Sequence, residues 1–343
     1  MKSLRLFAPY DMRLQDEPIP EIGPHDVLTK VKSVGLCASD SHWYRECRIG
    51  TTIMTEPLVL GHEAAGEIVA VGNAVTNVKP GDRVAIEPAY HCGECEFCRM
   101  GEFNICPTVQ FMGTPPTNGS MREYVAWPSH LVIPIPDSMS FDEAAMIEPL
   151  AIGVFAVDLA KMCGGERVAV IGAGAVGLSV VAAAKAAGVG EIYVSEPIPE
   201  RRKAAEMLGA TKTFSPEEAG SAIAKLTGYG PDIVFECAGE LDALRQSAEI
   251  ARPLGKVMVI GIPDEDDYIF PASASRRKQL TAIFVRRSRG TTERAIELVE
   301  KGQAQVALLA THRFSAAQIK EAFELAISRK DGIIRAVIDM SAD

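Results

Sequence analysis

The sequence has no excess of positive charge. Its 35 Lys and Arg residues are outnumbered by 45 Asp and Glu, for a formal net charge of -10. That balance repels a phosphate backbone instead of neutralising it, which argues against nucleic acid as a partner. No secretory leader is expected, since Lys2 and Arg5 stand where one needs an unbroken apolar core. One uncharged apolar stretch, Val168 to Ala184, is long enough to suggest a membrane span. It is interrupted by Gly172, Gly174 and Gly177 and bordered by Arg167 and Lys185, a pattern that fits a buried strand, turn and helix better. Internal repeats, low-complexity tracts and disordered linkers are absent too. The chain is therefore expected to be cytoplasmic and free of membrane contact. Disulfides rarely persist there, so the eight cysteines are read as metal ligands or buried thiols.

With 343 residues, 47% of them hydrophobic, the chain is long enough for two domains. From Val27 to Val132 it carries short β-branched runs broken by Gly and Pro: Val27 to Val34, Ala65 to Gly72, Asp82 to Ile86. These predict an irregular, mostly antiparallel β domain. From Arg167 the rhythm changes. Apolar runs at Val168 to Ile171, Glu191 to Val194, Ile233 to Glu236 and Val257 to Ile260 alternate with helical patterns such as Val176 to Ala187 and Glu200 to Leu208. Strands separated by helices imply a parallel sheet wound on both sides. The last segment predicts helices at Glu293 to Lys301 and Ala316 to Ser328, and a strand at Ala336 to Met340. Periodicity alone does not say which sheet that strand joins.

The run from Val168 to Gly177 is a hydrophobic strand leading into G-x-G-x-x-G and then a helix. Gly172 permits the tight turn, Gly174 admits a pyrophosphate close to the backbone, and Gly177 lets helix and strand approach. The amino end of the helix, at Ala175 and Val176, offers N–H groups and a positive dipole end to phosphates. Glu196 follows the second strand, where an acidic residue accepts the ribose 2'-hydroxyl and repels a 2'-phosphate. NAD is accordingly expected over NADP, although Arg201 and Arg202 lie near enough in sequence to accommodate a phosphate.

Cys92, Cys95, Cys98 and Cys106 fall within fifteen positions as C-x2-C-x2-C-x7-C. Four thiolates so spaced can close a tetrahedral zinc site, and a closed site is structural. An iron–sulfur cluster has similar spacing, but nothing else suggests electron relay. Cys47, Cys163 and Cys237 are expected to be buried small apolar residues. A catalytic zinc needs three protein ligands and an open position. Candidates occur at Cys37, Ser39 and His42, then at His62 and Glu63, then at Glu148. Each alone also reads as an ordinary buried thiol, core histidine, or capping or surface acid.

Taken together, these motifs resemble the zinc-containing medium-chain dehydrogenase/reductase family, most closely its sorbitol, xylitol and related polyol dehydrogenase branch. The resemblance runs from Pro24-His-Asp-Val27 through Pro80-Gly-Asp-Arg-Val84 and Glu236-Cys-Ala-Gly239 to Thr311-His-Arg-Phe314. It implies an α/β protein with a GroES-like β-rich catalytic domain at 1–150, regained by 290–343, and a Rossmann doubly wound parallel-sheet domain at 151–289. It also implies that Cys37 and His62 bind catalytic zinc, with Glu63 and Glu148 ligating directly or through water, and that Ser39 and His42 relay a proton. Alcohol dehydrogenases of the family usually carry cysteine where this chain has Glu148, which favours the polyol branch. Trp43-Tyr44 departs from that branch's usual order and leaves substrate shape open. The implied reaction is hydride transfer from a secondary hydroxyl of a polyol, cyclitol or sugar-like alcohol to NAD. The implied assembly is a homodimer or homotetramer. The rival readings are an L-threonine or simple-alcohol dehydrogenase, a zinc-free quinone reductase relative, and a non-catalytic binding protein.

Overall fold

The computed structural model describes residues 1–264 and 267–341. The chain divides into two compact units, Met1–Glu148 with Leu309–Asp343, and Pro149–Leu308.

The first unit is built on a seven-stranded sheet whose centre is the strand Asp26–Gly35. Up to Lys32 its residues alternate, with Val27, Thr29 and Val31 buried between half-exposed neighbours, the period of a strand with one face on a core. Glu63–Val71 pairs antiparallel along it and the last strand, Arg335–Asp339, pairs at its carboxyl end. In that register Gly35 lies between Glu63 and Val337. Sequence parts three hundred residues apart thereby meet at one point of the sheet.

Arg335–Asp339 is also parallel to Ala310–Ser315. Parallel neighbours need a crossover, here the helix Ile319–Ser328. The helix buries Ile319, Ala322 and Phe323, and the Phe323 ring stacks on Tyr44 of the helix Ala38–Glu46 with centroids 4.1 Å apart. Arg313 adds a surface clasp, pairing with Asp142 and with Asp339. The pairing of Arg335–Asp339 answers the question that periodicity left open. The return begins at Leu309, later than the 290 expected. The intervening helix, Thr292–Glu300, belongs to the second unit, where Thr291 Oγ1 donates to the Ala151 carbonyl at 2.8 Å and Arg294 pairs with Asp158.

The second unit holds a six-stranded, wholly parallel sheet. Its spatial order is Lys212–Phe214, Glu191–Ser195, Arg167–Ile171, Ile233–Glu236, Lys256–Val259, Thr281–Phe284. In chain order that is third, second, first, fourth, fifth, sixth. The order reverses beside Arg167–Ile171, so a crevice opens at the carboxyl ends of that strand and of Ile233–Glu236. Apart from Arg167 and Glu191 at their starts, the central strands are buried, as a sheet covered on both faces requires.

The long apolar stretch resolves into the strand Arg167–Ile171, a glycine turn and the helix Ala175–Ala186. Among the described residues no helix is long and apolar enough to cross a membrane. One expectation about thiols fails: Cys163 is exposed, and Cys47 and Cys237 are only partly covered. Cys163 precedes the strand Arg167–Ile171 in a connecting loop, where its N–H is held by Glu166 Oε1.

Replacing Phe323 by Ala should remove both the buried ring and its stack on Tyr44. A loss of about 3–5 kcal/mol is expected, read as a lower urea midpoint for the first unit.

Candidate metal centres and dinucleotide crevice

In the cysteine lobe, Cys95 caps the short helix Glu96–Arg99, with its sulfur accepting the Cys98 N–H at 3.4 Å. Cys92 Sγ accepts the Cys95 N–H in the same way. Backbone donors thus point at sulfur, which favours the thiolate. The Sγ atoms stand 3.9 Å apart for Cys92–Cys98, 3.9 Å for Cys95–Cys106 and 3.6 Å for Cys92–Cys106. These gaps are too wide for a disulfide. They match the edge of a tetrahedron with metal–sulfur bonds of about 2.3 Å, which is roughly 3.8 Å. The donor set therefore fits a closed zinc site.

A second group joins Cys37, His62 and Glu63, with one ligand atom of each within 4.8 Å of the others. Cys37 is the N-cap of Ala38–Glu46. His62 precedes Glu63–Val71 on a turn where Gly61 has φ +92°, a left-handed conformation that favours glycine. Asp40, fully buried, binds these segments together. Its Oδ2 accepts the Cys37 N–H at 2.9 Å, and its Oδ1 accepts the Gly61 N–H at 3.0 Å and lies 3.7 Å from His62 Nδ1. A carboxylate behind a ligating imidazole fixes its orientation. On the other side the His62 ring tilts against Phe111 at 5.1 Å.

Glu63 is fully buried, and neither carboxylate oxygen has a hydrogen bond. Arg335 Nη2 lies 2.8 Å from Oε1, close enough for charge attraction without hydrogen-bond geometry. The guanidinium is held by the Leu36 carbonyl, which accepts from Nη1 at 3.0 Å. Burial pushes the Glu63 carboxyl up to about 8, against the opposing pull of Arg335. Glu148, buried in the first turn of Ile147–Ala160, is likewise pushed up to about 8 by burial, with His62 opposing and Glu63 reinforcing. Two buried carboxylates short of positive charge, beside a thiol and an imidazole, make a donor set suited to a divalent cation. Glu148 stands outside the three-residue group, near enough to feel its charges.

Ser39 and His42 are both half-exposed on Ala38–Glu46. Three residues apart, they share a helix face. Sequence reasoning passed over Asp40 and Arg335. Asp40 could have been found, since it stands three residues after an N-cap, where a carboxylate reaches back to the capping residue.

In the second unit Gly172 has φ +91° and ends the strand Arg167–Ile171. A Cβ on Gly177 would lie 1.9 Å from the Gly172 carbonyl oxygen, whereas one on Gly174 would meet nothing within 4 Å. Helix and strand are thus in close contact, while the space beside Gly174 is open. Gly174 caps Ala175–Ala186 without a side-chain hydrogen bond, so the amino end at Ala175 and Val176 suits an anion. Glu196 is buried, and its Oε2 accepts the Ala173 N–H at 2.6 Å while Oε1 accepts the Ile198 N–H at 3.0 Å. Each oxygen keeps a further lone pair. Arg202 Nη1 donates to the carbonyls of Glu196 and Pro197, and Arg201 has contacts of its own. These features fit a dinucleotide. A separate surface cleft of about 520 Å³ between the helices Pro216–Thr227 and Leu241–Ile250 includes none of these residues.

Residues 23–137 match the alcohol dehydrogenase GroES-like domain, and residues 175–301 match the zinc-binding dehydrogenase domain. The chain is 37% identical to sorbitol dehydrogenase of Bacillus subtilis, over 98% of this chain and 97% of that protein. Among solved structures, an Escherichia coli oxidoreductase/dehydrogenase of unknown specificity superposes with TM-score 0.94 at 33% identity, covering 99% of both chains. A zinc-binding dehydrogenase from Sinorhizobium meliloti bound to NADP superposes with TM-score 0.88 at 29% identity, covering 98% of both.

Two substitutions examine these centres. Cys95→Ser should lower the zinc bound per chain and the melting temperature together; unchanged metal content by elemental analysis would contradict the sulfur site. Gly35→Ala would place a Cβ 2.2 Å from Glu63 Oε2, so it should weaken retention of the other zinc while leaving the cysteine lobe loaded.

Proposed function

The chain belongs to the zinc-binding alcohol dehydrogenase family, and from that premise we propose that it transfers a hydride from a secondary hydroxyl of a polyol, cyclitol or sugar-like alcohol to NAD. The observation that carries the reading is the Cys37–His62–Glu63 group, half-buried at Cys37 and buried at His62 and Glu63, with Glu148 beside it. Simple alcohol dehydrogenases of the family usually have cysteine at the position of Glu148. Similarity over nearly the whole length to a sorbitol dehydrogenase supports the same branch.

When bound, zinc supplies a Lewis acid and NAD the hydride acceptor. The rest falls to the chain's own residues. Cys37 and His62 hold the ion, with Glu63 and Glu148 contributing carboxylate directly or through water. Asp40 keeps the His62 ring in line, and Arg335 keeps Glu63 from being the uncompensated charge in a dry site. The hydroxyl proton passes to Ser39 Oγ and from there to His42, which reaches solvent. Gly172, Gly174, Ala175, Val176 and Gly177 receive the pyrophosphate, and Cys92, Cys95, Cys98 and Cys106 hold the structural zinc.

Glu196 favours NAD, because its charge opposes a 2'-phosphate. Arg202, already bonded to two backbone carbonyls, is poorly placed to offset that. Arg201 keeps a cofactor-binding role in this reading. The proposal includes a cytoplasmic homodimer or homotetramer. Its assembly is supported by the outermost strand of the parallel sheet, Thr281–Phe284, which leaves Phe284 58% exposed, with Ile269 at 57%.

Incubating the purified protein with polyols, cyclitols and amino alcohols while following NADH absorbance should give the highest kcat/KM on a polyol or cyclitol. A preference for L-threonine or a simple primary alcohol would move the chain to another branch. Cys37→Ser and His62→Ala should each lower turnover by roughly a thousandfold or more and leave NADH binding nearly intact. Activity retained in both variants would contradict the ligand assignment.

A further inference from the structure

Two carboxylates are buried at the carboxyl edge of the parallel sheet, one on each side of the strand Arg167–Ile171. Glu196 is accounted for above. Glu236, at the end of the neighbouring strand, has no part in the chemistry described so far, yet it is 1% exposed. Its Oε1 accepts the N–H groups of Ala238 and Gly239, each at 2.8 Å, while the Gly261 N–H donates to the Glu236 backbone carbonyl at 3.1 Å.

Gly239 has φ +71°, so the successive amides of Ala238 and Gly239 converge into a concavity of the kind that binds anions. Here the anion is the chain's own side chain. There is no slack around it. A Cβ on Gly261 would lie 2.1 Å from the Gly239 nitrogen and 2.7 Å from Glu236 Oε2, and a Cβ on Gly172 would lie 2.9 Å from the Ala238 nitrogen. The turn that Glu236 holds therefore bears directly on the glycine-rich turn.

A dinucleotide reaching this edge would otherwise meet converging amides on two sides of one glycine turn, at the amino end of Ala175–Ala186 and at Ala238–Gly239. Both would attract its phosphates, and only one gives the register that a helix amino end provides. We propose that Glu236 is a positioning residue for the dinucleotide, whose carboxylate fills the Ala238–Gly239 amide concavity, braces that turn against Gly172 and directs the pyrophosphate to the amino end of Ala175–Ala186. This rests on the dinucleotide reading of the second unit and adds a register-setting residue to it. A carboxylate does this better than a water molecule, because it is covalently tethered, accepts from both amides and repels a phosphate that strays towards it.

The test uses NADH fluorescence titrations on the full zinc-loaded protein, the Glu236→Ala variant and the Glu236→Gln variant, with formate and inorganic phosphate as probes. Glu236→Ala should weaken NADH binding about tenfold. Formate, small enough to refill the emptied concavity, should restore part of that affinity. Inorganic phosphate should compete with NADH more strongly in this variant than in the parent. Glu236→Gln fills the same space and keeps an oxygen for both amides but carries no charge to repel a phosphate, and should fall between parent and Ala while keeping its zinc content and melting temperature. If Glu236→Ala does not fold, Glu236→Gln decides alone. NADH affinity equal to the parent's in the folded variants, or a loss that formate does not relieve, would overturn the proposal. A parent that binds no NADH would instead overturn the dinucleotide reading, and this inference with it.

Discussion

The side chain of Asp40 is the constraint on which the catalytic group depends. It accepts the Cys37 and Gly61 amides and faces His62 Nδ1. It thereby ties the start of a helix to the turn that delivers the imidazole. Without that tie the two ligand-bearing segments would share only a sheet neighbour, since Gly35 and Glu63 are paired but Cys37 and His62 are not. A metal site needs donor atoms fixed to fractions of an ångström, and a buried carboxylate with both oxygens engaged achieves that more firmly than apolar contact. The arrangement also places a carboxylate behind the imidazole, which fixes the orientation of the ring as a ligand.

Charge in this site is balanced over a longer range than geometry. Asp40, Glu63 and Glu148 are all buried. Arg335 faces Glu63 and leans on the Leu36 carbonyl. Burying a charge without a partner is costly, and removing one member of such a set strands the others. With Asp40 and Arg335, the Cys37–His62–Glu63 group is thus one electrostatic unit drawn from the helix Ala38–Glu46 and its cap, the strand Glu63–Val71 with the residue before it, and the final strand. The cysteine lobe contrasts with it. Its four donors lie within fifteen residues, and its backbone amides serve the sulfurs locally. It can organise without reference to the rest of the sheet.

That contrast explains what the sequence makes legible. The cysteine lobe and the glycine-rich turn are local, and their spacing alone predicts where the sulfurs and the open Gly174 edge fall. The parallel sheet was readable for the same reason, because strand and helix alternate within short windows, and observed bounds such as Ile233–Glu236 coincide with the apolar runs. Cys37, His62 and Glu63 were legible only as family-like fragments; their meeting depends on sheet register, which no periodicity encodes. Arg335 left no local signal at all, being one more cation at a strand start until its strand pairs with Asp26–Gly35. Cys163 misled in the opposite direction, since residue type suggested burial but a loop position decided exposure. The late start of the return, at Leu309 in place of 290, reflects contacts of Thr292–Glu300 that only tertiary structure reveals.

The final strand has a consequence for how the molecule is made. During synthesis, Asp26–Gly35, Glu63–Val71 and all the thiol, imidazole and carboxylate donors leave the ribosome long before Arg335 does. The second unit, contiguous in sequence, can complete its sheet while the first still waits for its last strand. A nascent chain at that stage exposes a sheet edge beside Gly35 and holds Glu63 with no guanidinium opposite. Closure of the first unit therefore waits for the synthesis of Arg335–Asp339, and only then does Glu63 gain its guanidinium partner.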